Sequence, residues 1–257
     1  MPSKGRTFSS SGIYHIILRS VNQQIIFEED ADYQKFLYIL SDCTEKHDVD
    51  IYAYCIMSNH IHLMIRSDRE QLAPLFKGIG AKFVHWYNNK YKRYGHLFQG
   101  RFHSKPIEDR RYYLATLIYI HNNPVAAGIC RIPSEYPWSS YKAFYGAKNP
   151  LINLEYSCHV AGSLKALQAF FAGNSDMADP FEDDEYEHGK TKLYVNDEDA
   201  LELFKDLTGY SSTHEIVDIP KMFRNDIIRM LRENNLTVKQ ISRLLGISES
   251  TIKRICA

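Results

Sequence analysis

The apolar positions change their spacing along the chain, and each change predicts an element. Gly12–Arg19 (GIYHIILR) is a β-rich run, and Ala31–His47 reads as a helix through Tyr33, Phe36, Leu37, Leu40 and Cys43 at three- and four-residue intervals. Ile51–Met57 and His60–Arg66 are two further apolar runs around Ser58-Asn59, the pattern of a hairpin with a two-residue turn. Arg69–Tyr94 is a long helical stretch, weakened by Pro74, Gly78 and Gly80; Leu97–Pro106 reads as a short strand. Asp109–Asn122 predicts a helix stopped by Pro124. Strand, helix, hairpin, helix, strand, helix predicts an α+β sandwich, with helices on one face of an antiparallel sheet.

The pattern changes after residue 145. The run ADPFEDDEYEHGK has no periodicity and reads as an exposed linker, while Leu164–Phe171 and Asp199–Thr208 fit short helices. Residues 146–222 are therefore expected to be an acidic linker with short helices, the least ordered part of the chain. From Phe223 the helical spacing returns at Ile227, Ile228 and Leu231. In TVKQISRLLGISESTIKRI, Thr237 and Gln240 form a capping-box pattern, Gly246 ends one helix and Ser248 caps the next. Helix, glycine-containing turn and helix make a small all-α helix-turn-helix domain at 223–257, its core supplied by Val238, Ile241, Leu245, Ile247 and Ile252. Ser250, Thr251, Lys253 and Arg254 on the second helix are the candidate DNA contacts. A plain helical hairpin for protein contact is the other reading.

Composition adds a division by charge. Residues 1–145 hold 18 Lys and Arg against 13 Asp and Glu, residues 146–215 hold 5 against 14, and residues 216–257 hold 8 against 4. Two basic ends around an acidic middle fit two surfaces that face a polyanion. The sequence has no long apolar run of membrane-spanning length, and MPSKGRTFSS lacks a signal core, so a cytoplasmic protein without membrane contact is expected. The five cysteines are scattered with no C-x-x-C pair, which predicts reduced thiols, mostly buried.

The hairpin strand holds the first candidate chemistry. In MSNHIHLMI, His60 and His62 are two residues apart, so both imidazoles project from one face of the strand. Two neutral imidazoles are part of a site for a divalent ion such as Mg²⁺ or Mn²⁺ that would need a further oxygen donor; sheet histidines that merely hydrogen-bond show the same spacing. In the helix before Pro124, Tyr119 and Asn123 are four residues apart, ~6 Å along the axis. The amide oxygen of Asn123 would complete the ligand set, and the Tyr119 phenol would sit beside it as a nucleophile toward phosphate. Tyr119 as an ordinary core tyrosine is the plain alternative. On the Leu97–Pro106 strand, Arg101, His103 and Lys105 alternate onto one face as candidate phosphate contacts. Phe98 and Trp86 are candidates for base stacking, although core packing explains both, as it does Trp138.

These pieces stand in order in one stretch: MSNHIHLMI, FQGRFHSKPI, YYLATLIYIHNNPVAAGI and YPWSSY. Together they resemble the single-tyrosine HUH transposases of bacterial insertion sequences, and among them the REP-associated tyrosine transposases. The resemblance covers about residues 10–145. It implies a ferredoxin-like fold and metal-dependent nicking and rejoining of single-stranded, hairpin-bearing DNA through a covalent 5′-phosphotyrosine. It makes His60, His62 and Asn123 the metal ligands and Tyr119 the nucleophile. The family often has proline before the Asn-His pair, where this chain has Ser58. Relatives occur as monomers and dimers, which leaves a homodimer open, and the helix-turn-helix adds a site for duplex DNA. A DNA-binding regulator that keeps the fold without cutting is the alternative function.

Overall fold

Residues 8–174 and 197–256 are described by the computed structural model. The elements run β1 (Ile13–Arg19), α1 (Asp30–Lys46), β2 (Asp50–Ile56), β3 (His60–Arg66), α2 (Arg69–Lys90) and β4 (His103–Pro106). The strands form one sheet in the order β2-β3-β1-β4, every neighbouring pair antiparallel. This is the βαββαβ ferredoxin-like arrangement. The long apolar runs of β1, β2 and β3 have a physical cause: both faces of the sheet are covered, so alternate residues have no solvent side to be polar for. Tyr14, Ile16, Leu63 and Ile65 face Phe36, Leu40, Ile79 and Phe83 of α1 and α2 in one core. The opposite face carries α3 (Arg110–Ala126), α4 (Leu154–Ala161) and α5 (Leu164–Gly173). There Tyr52, Cys55 and Met64 pack with Leu117, Ile118, Leu167 and Phe171. Helices α1 and α2 thus share one face, as the sequence pattern predicts, whereas α3 lies on the other.

Three local features place the site. The hairpin turn at Ser58-Asn59 is present, with Met57 N donating to His60 O over 2.8 Å. The segment after β1 clasps that turn: Ile26 N donates to Ser58 O (2.8 Å), Ser20 N to Asn59 O (3.0 Å) and Asn59 Nδ2 to Gln23 O (3.1 Å). Helix α3 starts at Asp109, whose carboxylate accepts from Tyr112 N. Its end differs from expectation. Pro124 lies inside the helix, which runs on to Ala126 and closes with Ala127 N donating to Asn123 O over 2.9 Å. Proline supplies the helical φ but no N–H, so the bond that residue 124 would donate to Ile120 O is missing and the helix ends two residues later. The YPWSS segment runs along the outer side of β2: Ile56 N donates to Trp138 O and Ser140 N to Tyr54 O, each over 2.9 Å. It covers an otherwise open sheet edge.

The described residues of the expected linker are packed rather than loose. Leu167 and Phe171 are buried against α3, and α6 (Asp197–Thr208) joins the C-terminal core through Leu201 and Phe204. The linker reading fails there because these short helices each carry an apolar stripe with a partner to bury it. The acidic run ADPFEDDEYEHGK lies outside the described residues. The C-terminal helices α7 (Lys221–Glu233), α8 (Val238–Leu245) and α9 (Glu249–Cys256) enclose Ile228, Leu231, Ile241, Leu244 and Ile252. The Thr237–Gln240 capping box forms, and Gly246 ends α8 with φ +65°. Ile25, from the segment that clasps the hairpin turn, also sits in this core, and its N–H donates to Arg243 O of α8 over 2.9 Å. Among the described residues no helix is long and apolar enough to cross a membrane. The five cysteines are free; Cys43 and Cys55 are buried, Cys130 and Cys158 half-buried and Cys256 exposed, so fewer are buried than expected.

Candidate active site

Strand register brings the polar residues together. Directly opposed residues of an antiparallel pair share a face. Arg19 opposes His60, Ile17 opposes both His62 and His103, and His15 opposes Lys105. His60, His62, His15, Arg19, His103 and Lys105 therefore stand on one face of β3, β1 and β4, the face across which α3 lies. His103 is exposed and Lys105 half-buried; Arg101 is exposed but precedes the paired residues of β4.

The centre of this face is a cluster of rings. The His60 and His62 centroids are 4.9 Å apart, in an edge-to-face arrangement. Helix α3 sets the Tyr119 ring edge-on to His62 at 5.5 Å and to His15 at 5.7 Å. His15 and His62 are fully buried, Tyr119 and Asn123 nearly so, and His60 is half-buried at the rim. His60 and His62 are each held at Nδ1. Asn59 Oδ1 lies 2.6 Å from His60 Nδ1, and His15 Nε2 lies 2.9 Å from His62 Nδ1. Because an amide oxygen only accepts, His60 donates from Nδ1 and its Nε2 carries the lone pair. Asn123 Nδ2 donates to Tyr119 O over 2.8 Å, which leaves Oδ1 as the acceptor end of the amide.

This donor set is of the kind a divalent cation takes: imidazole nitrogens, with an amide oxygen one helical turn beyond the Tyr119 ring that packs on His62. Among the described residues no group of three or more His, Cys, Asp or Glu could hold a metal, so any site here draws its remaining donors from amide, water or phosphate oxygens. His15 does not act as a third imidazole ligand in this arrangement, because the nitrogen it turns toward the cluster is engaged with His62.

The other candidates separate cleanly. Trp86 and Phe98 are half-buried against the first core, and Trp138 stacks on Tyr33 at 4.5 Å, so none of the three projects freely for stacking on bases. On α9, Ser250, Lys253 and Arg254 are exposed and Thr251 half-buried, while Ile252 anchors the helix in its core. Ser248 Oγ lies 3.1 Å from Ser250 Oγ and 2.9 Å from Thr251 Oγ1, so the two hydroxyls belong to the helix cap as well as to the surface. Sequence reasoning passed over His15. The signal available was a lone histidine in the apolar run IYHIILR, and only the register shows what it faces.

With fold and site in view, residues 8–123 match the family model described as "Transposase IS200 like", and residues 223–254 match that of the bacterial regulatory proteins of the arsR family. A solved structure of a REP-associated tyrosine transposase bound to a REP hairpin is 18% identical, with a TM-score of 0.51 over 60% of this chain and 90% of that one. A putative transposase from Deinococcus radiodurans R1 is also 18% identical, with a TM-score of 0.34 over 47% of this chain and 96% of that one. No curated protein matches. The stretch 8–123 is thus similar to the IS200-like transposases, and a helix-turn-helix similar to that of bacterial regulatory proteins follows it.

Proposed function

We propose that this chain is a metal-dependent transposase that nicks and rejoins single-stranded DNA through Tyr119. The observation that carries the reading is the Tyr119 ring held 5.5 Å from His62 by a helix laid across the histidine face. The Tyr119 phenolic oxygen attacks the scissile phosphorus as the bond from phosphorus to the 3′ oxygen breaks. The phenol proton passes to solvent, and the leaving oxygen takes up a proton as a 3′-hydroxyl. The 5′ phosphate stays on Tyr119 until a 3′-hydroxyl reverses the step, so one phosphodiester is conserved throughout and no nucleotide is spent. His60, His62 and Asn123 would hold a Mg²⁺ or Mn²⁺ ion, which supplies charge neutralisation at a non-bridging phosphate oxygen. His103, Lys105 and Arg101 line the approach as phosphate contacts, and the half-buried rim at His60 admits a strand while Tyr119 stays inside. The hairpin bound by the REP-associated relative makes a hairpin-bearing single strand the substrate to test. Helix α9 presents Ser250, Thr251, Lys253 and Arg254 to duplex DNA.

The test is a covalent adduct. Incubated with Mn²⁺ and hairpin-bearing single-stranded oligonucleotides, the protein should form a species that migrates as protein joined to DNA on a denaturing gel. Tyr119→Phe removes one oxygen and little packing, so it should abolish the adduct and keep DNA binding. Tyr112→Phe should leave the adduct, since Tyr112 is eleven residues from Asn123, ~16 Å of helix. An adduct that survives Tyr119→Phe overturns the reading, and binding with no cleavage by the unaltered protein favours the non-cutting regulator.

A further inference from the structure

A neutral imidazole has one N–H and one lone pair, so a histidine that ligates through Nε2 must carry its proton on Nδ1. His60 meets this requirement through Asn59. For His62 the partner is another imidazole, which can donate or accept, and the direction of one hydrogen bond decides whether His62 can serve. The His15–His62 rings lie within 19° of parallel with centroids 5.2 Å apart. At that separation, a 2.9 Å contact between Nε2 and Nδ1 places the two nitrogens on the line joining the ring centres. The contact is therefore an in-plane hydrogen bond, with N–H and lone pair aligned.

We propose that His15 is a positioning residue whose Nε2 accepts the Nδ1 proton of His62 and so fixes the His62 Nε2 lone pair toward Tyr119 and His60. The inference rests on the proposed role of His62 as a ligand. The partner that orients a metal-binding histidine is commonly a carboxylate or backbone carbonyl. A carboxylate at position 15 would place a buried negative charge beside a phosphodiester backbone. An imidazole accepts the same proton without charge, in a site whose substrate is a polyanion. Strand geometry explains how the pair is held: Ile17 opposes His62 and His15 opposes Met64, so His15 and His62 are diagonal neighbours on adjacent strands, and Tyr119 packs edge-on against both rings.

Two readouts on the full chain test it. Long-range proton–nitrogen NMR of histidine-labelled protein, metal-free and at mildly alkaline pH, reports the tautomer of each imidazole. His62 should carry its proton on Nδ1 in the unaltered protein and in His15→Gln, whose amide oxygen can accept. In His15→Phe it should move to Nε2 or to a mixture. Mn²⁺ titrated against the same proteins, followed by the paramagnetic resonance of the free ion, should show affinity about 10–100-fold weaker in His15→Phe and close to the unaltered value in His15→Gln. A His62 protonated on Nε2 in the unaltered protein overturns the proposal, as does His15→Phe with unchanged affinity. Should His15→Phe fail to fold, an unaltered tautomer in His15→Leu overturns it equally. Absence of Mn²⁺ binding by a protein whose His62 carries the Nδ1 proton is a different result: it removes the metal reading and leaves the hydrogen-bond direction standing.

Discussion

The histidine face and helix α9 are both read as places where this protein meets DNA, and they are built in opposite ways. His62 and His15 are fully buried, Tyr119 nearly so, and each ring is fixed by neighbours on another strand or helix. Lys253 and Arg254 are exposed and steadied by little beyond their own helix; the nearest ion pair, Lys253 with Glu249, is 3.9 Å long and solvent-facing. Such a pair is worth ~0.2–1 kcal/mol. Bond making at phosphorus needs atoms held to fractions of an ångström, which burial and second contacts provide. Affinity for a polyanion needs only charge near its phosphates, which mobile cations provide. Damage to the first region should therefore be abrupt, and damage to the second graded.

The largest effect is expected at His62. Charge neutralisation at the phosphate is worth several kcal/mol, so His62→Ala should lower the nicking rate about 10³-fold or more, at 1.36 kcal/mol per decade. Stability should fall by only ~1–3 kcal/mol, for the lost hydrogen bond and the small void. Single-turnover cleavage of an end-labelled single strand, beside a denaturant titration of the same variant, measures both. A variant that cuts within a few-fold of normal would make the histidine pair an ordinary feature of a sheet and erase the contrast.

How much of this contrast the sequence showed follows from where the information lies. The i, i+2 spacing of His60 and His62 and the i, i+4 spacing of Tyr119 and Asn123 are properties of one strand and one helix, so each pair was readable locally. The helix-turn-helix was readable for the same reason: Thr237, Gln240 and Gly246 act within a few residues of themselves. His15 was not readable, because its meaning depends on the register between β1 and β3 across 47 residues of sequence. The face taken by α3 was equally hidden, since a strand buried on both sides carries no alternation to say which helix covers which side. The reach of α3 through Pro124 was hidden because proline biases the residue before it away from helical backbone without forbidding it. The packing of α6 was missed because charge dominates its composition, while Leu201 and Phe204 alone decide its burial.

A smaller effect is expected where the two regions meet. Tyr87 OH lies 2.8 Å from His214 Nε2, and Thr213 donates through N and Oγ1 to the buried Glu28 carboxylate. Burial, with Arg93 nearby, lowers the His214 pKa to about 4. His214 Nε2 is also 3.3 Å from Glu28 Oε1. At neutral pH the contact is that of a neutral imidazole, since burial disfavours its charged form. A depressed histidine stabilises the fold above its unfolded pKa near 6.5, and that stability is lost as pH falls toward 4. Burial raises Glu28, which works the other way on acidification. Comparison with His214→Gln isolates the imidazole. Between pH 7 and pH 5 the unaltered protein should lose about 2 kcal/mol relative to that variant, read from denaturation midpoints at the two pH values. Equal losses would show that the joint does not titrate through His214.

The smallest effect belongs to α9, and it sharpens the comparison most because it concerns a slope rather than an on–off result. Removal of all residues from 216 onward is the obvious test of the helix-turn-helix, but Ile25 packs in that core and its N–H donates to Arg243 O, so truncation would also expose apolar and polar groups of the segment that clasps the hairpin turn. Point changes on the exposed surface avoid this. Lys253→Ala and Arg254→Ala leave Ile252 and the Ser248 cap in place. If each cation meets a phosphate, each substitution should reduce the slope of log affinity against log salt by about one. The double variant should reduce it by about two. Both should weaken duplex binding across sequences rather than at one base position, because a phosphate contact carries no base information. Fluorescence anisotropy with a labelled duplex at several salt concentrations gives the slope. Adduct formation on a short single strand, assayed in parallel, should change far less, since such a strand presents no duplex to α9. An unchanged slope in the double variant would reassign α9 to protein contact; an equal fall in adduct formation would mean that one surface serves both strands, against the separation drawn between the two regions.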